Sequence, residues 1–171
     1  DSIDIPERSV AWAKHALPLV KNELLGVQVW NEFAYWTSPA TYIPYHRTMA
    51  AAIRSAVPGV PIVCGDFGHS DGKNGIDVWE TLVRAGLRSL YEFNDYDVVS
   101  IHLTRVNRTS QLKTMVSRLK ALHGPTQRYW VTEGDWGHYP FLNAQGLNAE
   151  KVFVYGWNAS GGAAVRPGGL L

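Results

Sequence analysis

Cysteine is nearly absent. Cys64 stands alone among 171 residues, so the chain closes no internal disulfide and has no thiolate set for a zinc cluster. An excess of charge of either sign is lacking too. Sixteen Lys plus Arg against fifteen Asp plus Glu leave a formal charge of +1, which removes the main electrostatic reason to expect nucleic acid or an anionic membrane as a partner. No stretch approaches the roughly 18 uninterrupted apolar residues of a membrane-crossing helix. No G-x-G-x-x-G or G-x-x-x-x-G-K-[ST] follows an apolar run, so nucleotide folds lose their fingerprints. His15, His46, His69, His123 and His138 neither pair at i, i+4 nor adjoin cysteine, which predicts no metal site and no cofactor.

What the chain has in quantity is aromatic surface. Seven Trp and eight Tyr exceed the needs of a core of this size, and flat rings are what sugar-binding clefts use. With 46% hydrophobic and 18% charged residues, the composition predicts one globular domain over residues 1–171 rather than disorder.

Along the chain an alternation of strand and helix recurs. Apolar, β-branched runs lie at Gly26–Trp30, Val60–Cys64, Asp97–His102 and Tyr129–Thr132; their first residues are 34, 37 and 32 apart, room for a strand, a crossover helix and two loops. The runs are nearly continuous rather than alternating, as in a parallel sheet covered by helices. Helical periodicity fills Tyr42–Val57 (apolar at Tyr45, Met49, Ala52, Ile53 and Ala56), Asp77–Leu90 and Ser110–Leu122, with Asp77 and Ser110 as N-caps. Pro58-Gly59 and Gly124-Pro125 stop two of these helices. Ile5–Leu25 reads as a helix that Pro18 kinks or splits. Lys151–Trp157 carries both a Val-Phe-Val-Tyr strand pattern and a helix-like start; the short gap after Thr132 favours the strand. The spacing alone fits either a barrel or an open doubly wound sheet.

The strand ends hold the chemistry. In α/β barrels the site lies at the carboxyl ends of the strands, and two runs end in acids: Val29-Trp30-Asn31-Glu32 and Val131-Thr132-Glu133-Gly134. Two facing carboxylic acids are what glycosidic cleavage requires, one protonated to release the leaving oxygen and one ionised to attack. A separation of roughly 5–5.5 Å goes with retention and about 6.5–9.5 Å with inversion. The competing view is of two surface loop acids. Trp30 serves either the core or the cleft. Trp36 and Trp157 either stack on a sugar or seal the rim, with stacking favoured. His102, at the end of its strand, is either a structural histidine or a substrate contact. Asp66 is either a cleft residue or a helix N-cap, with capping favoured.

Val27-Gln28-Val29-Trp30-Asn31-Glu32 resembles the fourth-strand motif of the retaining (β/α)8 glycoside hydrolases called clan A. Tyr129-Trp130-Val131-Thr132-Glu133 is similar to the seventh strand of that clan, and Asp97-Val98-Val99-Ser100-Ile101-His102 to the sixth. The resemblance covers about residues 20–135. It implies an α/β fold made of roughly strands 4–8 of a TIM barrel with their helices. It further implies Glu32 as acid/base, Glu133 as nucleophile, Asn31 as the ligand of the hydroxyl beside the reacting carbon, and His102 near the substrate. Thr104 stands where the clan often has an aromatic residue two places after this histidine. The implied function is retaining hydrolysis of β-glycosides by double displacement on a carbohydrate substrate, with a secreted or periplasmic location favoured.

A whole barrel takes about 250 residues. The chain opens almost directly on a helical pattern without Met and closes on Arg166-Pro-Gly-Gly-Leu-Leu171, which predicts a fragment or shortened form. Completion by a missing barrel half or by self-association is then expected, with weak stability as an isolated monomer. The alternative function is a non-catalytic carbohydrate-binding or structural half-barrel that has lost its cleft.

Overall fold

A computed structural model of the chain describes residues 6–31, 39–64, 96–102, 126–134, 149–157 and 163–165, together with 84, 114, 117–118, 120–121 and 146. Helix α1 (Pro6–Ala16) is followed by a 3-10 segment over Leu17–Glu23. Pro18 lacks an N–H and crowds the residue before it, and at Val20 the backbone leaves helical space (φ −119°, ψ 15°), so the single long helix read from the sequence is split there. Helix α2 (Pro39–Ala56) begins earlier than its periodicity suggests. Its buried side is Tyr42, Ile43, His46, Met49, Ala50, Ala52 and Ile53. The sequence reading omitted Tyr42 and His46, because a histidine does not advertise an apolar face. Pro58-Gly59 ends this helix region, with Gly59 at φ 85°, a backbone that glycine adopts without strain.

Six strands form one sheet in the order β1 (Val27–Val29), β2 (Ile62–Cys64), β3 (Val98–His102), β4 (Arg128–Gly134), β5 (Lys151–Trp157) and β6 (Ala163–Val165). The first five pair in parallel, and β6 turns back antiparallel on β5. β5 has the bounds read from the sequence, whereas β6 is an addition that the sequence did not signal. Among the described strands the order is strictly sequential, without the reversal that marks a doubly wound sheet. In the two further helices read from the sequence, Arg84, Thr114, Ser117, Arg118, Lys120 and Ala121 are helical. The remaining residues of those helices, with the caps Asp77 and Ser110 and with Asp66, lie outside the described residues.

Both faces of the sheet are buried at its centre. Every residue of β2 and β3 is buried, as expected of parallel strands covered on both sides. The helix-covered face joins Val29, Ile62, Cys64, Val99, Tyr129 and Val131 to the inward side of α2 and to Ala13 and Leu17. The opposite face holds a small cluster of Val63, Val98 and Trp130.

Trp130 also reports curvature. A β-carbon placed on Gly26, just before β1, would lie 2.8 Å from its Cη2 and 2.9 Å from its Cζ3. In a flat sheet β1 and β4 would be about 14 Å apart, three strand spacings, and side chains stand roughly perpendicular to the sheet. The sheet is therefore curled enough for the ring on β4 to reach across its concave face to the start of β1.

The amino ends of the strands are tied by charge. Asp97 accepts from the Ile62 amide at 2.8 Å and from Arg54 Nη1 on α2 at 3.3 Å.

Candidate active site

The carboxyl end of β1 departs from strand geometry. Gln28 faces the concave side, where its Oε1 meets Ser100 of β3, and strict alternation would point Trp30 the same way. Trp30 instead has φ 68°, a left-handed conformation uncommon for a bulky residue. Its ring packs with the helix-side core and meets Tyr45 of α2 edge-on at 5.0 Å. The reversal leaves Asn31 beside Gln28, whose Nε2 donates to Asn31 Oδ1 at 3.1 Å and to the Trp30 carbonyl at 3.2 Å. Beneath this turn the buried Tyr42 hydroxyl donates to the Val29 carbonyl at 3.2 Å and lies 3.0 Å from His46 Nδ1 and 3.6 Å from Cys64 Sγ. The strained turn thus rests on a hydrogen-bonded post from α2.

β4 supplies the second half. Val131 pairs with Val152 but Gly134 with Val154, so β4 carries one residue more than β5 between these pairs. Against β3 the register shifts between Ile101 and His102, and His102 comes opposite Glu133. Such a bulge turns two successive side chains toward one face and is a common means of re-aiming a residue at a strand end. Here Thr132 bonds to Ser100 on the concave face, and Glu133 Oε1 lies 3.6 Å from His102 Nε2. The imidazole is all but buried, at 1% exposure, while the Glu133 side chain retains 30%. Glu133 is therefore open to a ligand on one side and backed by His102 on the other.

A polar chain joins the two halves across β2. Asn31 and the Trp30 carbonyl bond to Gln28, Gln28 Oε1 accepts from Ser100 Oγ at 3.5 Å, and Ser100 bonds to Thr132. Gln28, Ser100 and Thr132 were not singled out in the sequence. A signal for them existed: Val-Gln-Val and Val-Ser-Ile each interrupt an apolar strand with one polar residue, and Val-Thr-Glu places Thr132 just before the acid.

Of the residues expected at the site, Asn31, His102 and Glu133 come to the same end of the sheet. Trp157 ends β5, its backbone opposite Ala163 of β6. Glu32 and Trp36 lie outside the described residues. Among the described residues no three His, Cys, Asp or Glu gather as a metal cluster, and no helix is long and apolar enough to cross a membrane.

Two perturbed acids belong to the opposite end of β4 or its buried side. Burial pushes the Tyr129 phenol well above its ordinary value. The Glu150 carboxyl is held below its usual range, chiefly by its hydrogen bond from Arg128, whose Nε lies 2.8 Å from Oε1; Trp130 Nε1 also donates to Glu150, at 3.1 Å. A cleft of about 410 Å³ opens beside β1, the outermost of the described strands, bordered by Trp12, Gln28, Trp30, Tyr45 and Met49.

No protein-family model matches the chain, and a search of curated proteins finds no match either. Among solved structures it is similar to the exo-β-1,4-mannosidase Op5Man5 from Opitutaceae bacterium strain TAV5. The identity is 16% and the TM-score 0.50, over 87% of this chain and 32% of the mannosidase. At that identity the likeness is one of α/β fold. The chain spans about a third of the length of that enzyme.

Proposed function

We propose that residues 1–171 form one part of a (β/α)8 barrel, approximately strands 4–8, and carry the catalytic carboxylates of a retaining glycoside hydrolase acting on β-linked sugars. The observation that supports this best is the placement of Asn31, and of the His102–Glu133 pair, at the carboxyl ends of sequentially ordered parallel strands. The sequential order and the curl of the sheet support the barrel, and the fold likeness to a glycosidase agrees with it.

In the proposed reaction Glu133 attacks the anomeric carbon while Glu32 protonates the departing oxygen. The C–O bond to the aglycone breaks, an ester to Glu133 forms, and the sugar inverts once. Water, deprotonated by Glu32, then attacks the same carbon, inverts it again and frees Glu133. Exposure on one side gives Glu133 access to the anomeric centre, and His102 behind it limits its rotation. Asn31 donates to the hydroxyl next to the reacting carbon, a contact that strengthens as positive charge develops. Trp36 and Trp157 stack on neighbouring sugar faces. Further strands, or a second copy of the chain, complete the barrel.

Glu133→Ala tests the reading with aryl β-glycosides. It should abolish hydrolysis while sugar binding persists, and azide should restore turnover by attacking the anomeric carbon in place of Glu133, displacing the aglycone and leaving the α-glycosyl azide. A wild-type chain that binds sugars but never turns them over would instead favour the non-catalytic half-barrel.

A further inference from the structure

Asn31 can present either end of its amide to a ligand, and its exposure leaves it free to turn unless something holds it. Gln28 provides that hold. Its two N–H bonds run to Asn31 Oδ1 at 3.1 Å and to the Trp30 carbonyl at 3.2 Å, both acceptors. Its remaining end, Oε1, is an acceptor engaged by the buried Ser100 hydroxyl at 3.5 Å. The Gln28 amide thus has a single sense in which all three contacts are satisfied, because reversing it would set its carbonyl against two others. That sense is relayed to Asn31. With Oδ1 committed to Gln28, the Asn31 NH2 is the end turned outward.

We propose that Gln28 is a positioning residue that fixes the Asn31 side chain as a hydrogen-bond donor, so that the site receives an acceptor, the hydroxyl oxygen of a sugar, at this position. The inference rests on the hydrolase reading only for the identity of that ligand; the orientation stands by itself. It also assigns a purpose to the polar interruption of β1. A purely apolar residue at position 28 would pack against Val63 and Trp130 but leave the strained Trp30 carbonyl and the Asn31 amide unheld. Ser100, itself bonded to Thr132, sets Gln28 from the other side, so the Asn31 orientation is referred back to the strand that bears Glu133.

Two variants of the full chain separate positioning from packing. Gln28→Ala removes the hold and opens a space. Gln28→Glu keeps the shape but replaces the N–H donor with a carboxylate oxygen, which captures the Asn31 NH2 and turns it inward. Positioning predicts that kcat/KM falls about tenfold in Gln28→Ala and about a hundredfold in Gln28→Glu, the difference between losing one neutral hydrogen bond and committing the donor to a charged acceptor. A packing role predicts the reverse order, since the isosteric variant fills the space, and that order would overturn the proposal. The Asn31 side-chain NH2 signals in a two-dimensional amide spectrum, identified by their loss in Asn31→Asp, give a readout independent of turnover. They should shift downfield in Gln28→Glu. Unmoved signals overturn the proposal whatever the activity, whereas shifted signals in a chain that hydrolyses no glycoside uphold the orientation and reject the hydrolase reading.

Discussion

At Trp30 one backbone angle, φ 68°, decides what the end of β1 offers. Such a conformation costs on the order of 1–3 kcal/mol and persists only where its surroundings enforce it. Here the enforcement is the Tyr45 contact on one side and the Tyr42 hydroxyl beneath Val29 on the other. Tyr42→Phe removes the hydroxyl alone and should lower stability by about 1–2 kcal/mol, read from the denaturant midpoint, since it removes a buried hydrogen bond to the Val29 carbonyl. An unchanged midpoint would mean that the post carries no load. Gly26 is a second position decided by a single atom. Alanine there would drive its β-carbon to 2.8 Å from the Trp130 ring and 3.1 Å from the Pro61 carbonyl. The expected cost is about 1–3 kcal/mol as overpacking, and Trp130→Leu should recover part of it in the double variant. Additive losses in thermal unfolding would contradict the close approach across the concave face.

Elements were legible in the sequence where their residues have one strong reason to be there. Ile62–Cys64 and Val98–His102 are buried on both sides, Val27–Val29 is partly buried with β-branched residues flanking Gln28, and Pro18 and Pro58-Gly59 are steric punctuation. β6 was not legible, because Ala163 and Ala164 after two glycines have little strand preference and gain their place by pairing with β5. The bulge in β4 escaped for another reason. It is a mismatch in count between two partners, and no property of Thr132 or Glu133 records it. His46, weighed in the sequence only as a metal ligand, lies in the core against Tyr42 and Tyr96. The start of β5 carries a pH dependence. Arg128 holds the Glu150 carboxyl below its ordinary 4.5, so its contribution is complete above that value and is lost as pH falls through the lower folded value. Glu150 is well exposed, so the gain is at most about 1 kcal/mol. Thermal midpoints of Glu150→Gln should converge on those of the wild type between about pH 5 and pH 3, the region where such a carboxylate protonates. Parallel pH curves would remove the role given to the ion pair.

At the scale of the whole molecule, the described strands follow one another in sequential order, without the reversal of a doubly wound sheet. Each strand joins beside its predecessor, and the sheet curls until β4 touches the approach to β1. That arrangement gathers Asn31 and Glu133 although 102 residues separate them in sequence. It also explains how much of the site could be foreseen: Glu133 and Asn31 stand at strand ends that the sequence marks, while Gln28, Ser100 and Thr132 join them only once the strands are side by side. The central claim is that Glu133 forms a covalent bond to sugar. The most direct test is to incubate the chain with 2-deoxy-2-fluoro-β-glucosyl and -mannosyl fluorides, whose fluorine slows release of the ester, and to map the product by peptide mass spectrometry. One fluoroglycosyl group per chain, on the peptide bearing Glu133 and lost with Glu133→Gln, is the predicted result. Hydrolysis of β-glycosides with no adduct at Glu133, or an adduct on another carboxylate, would contradict it.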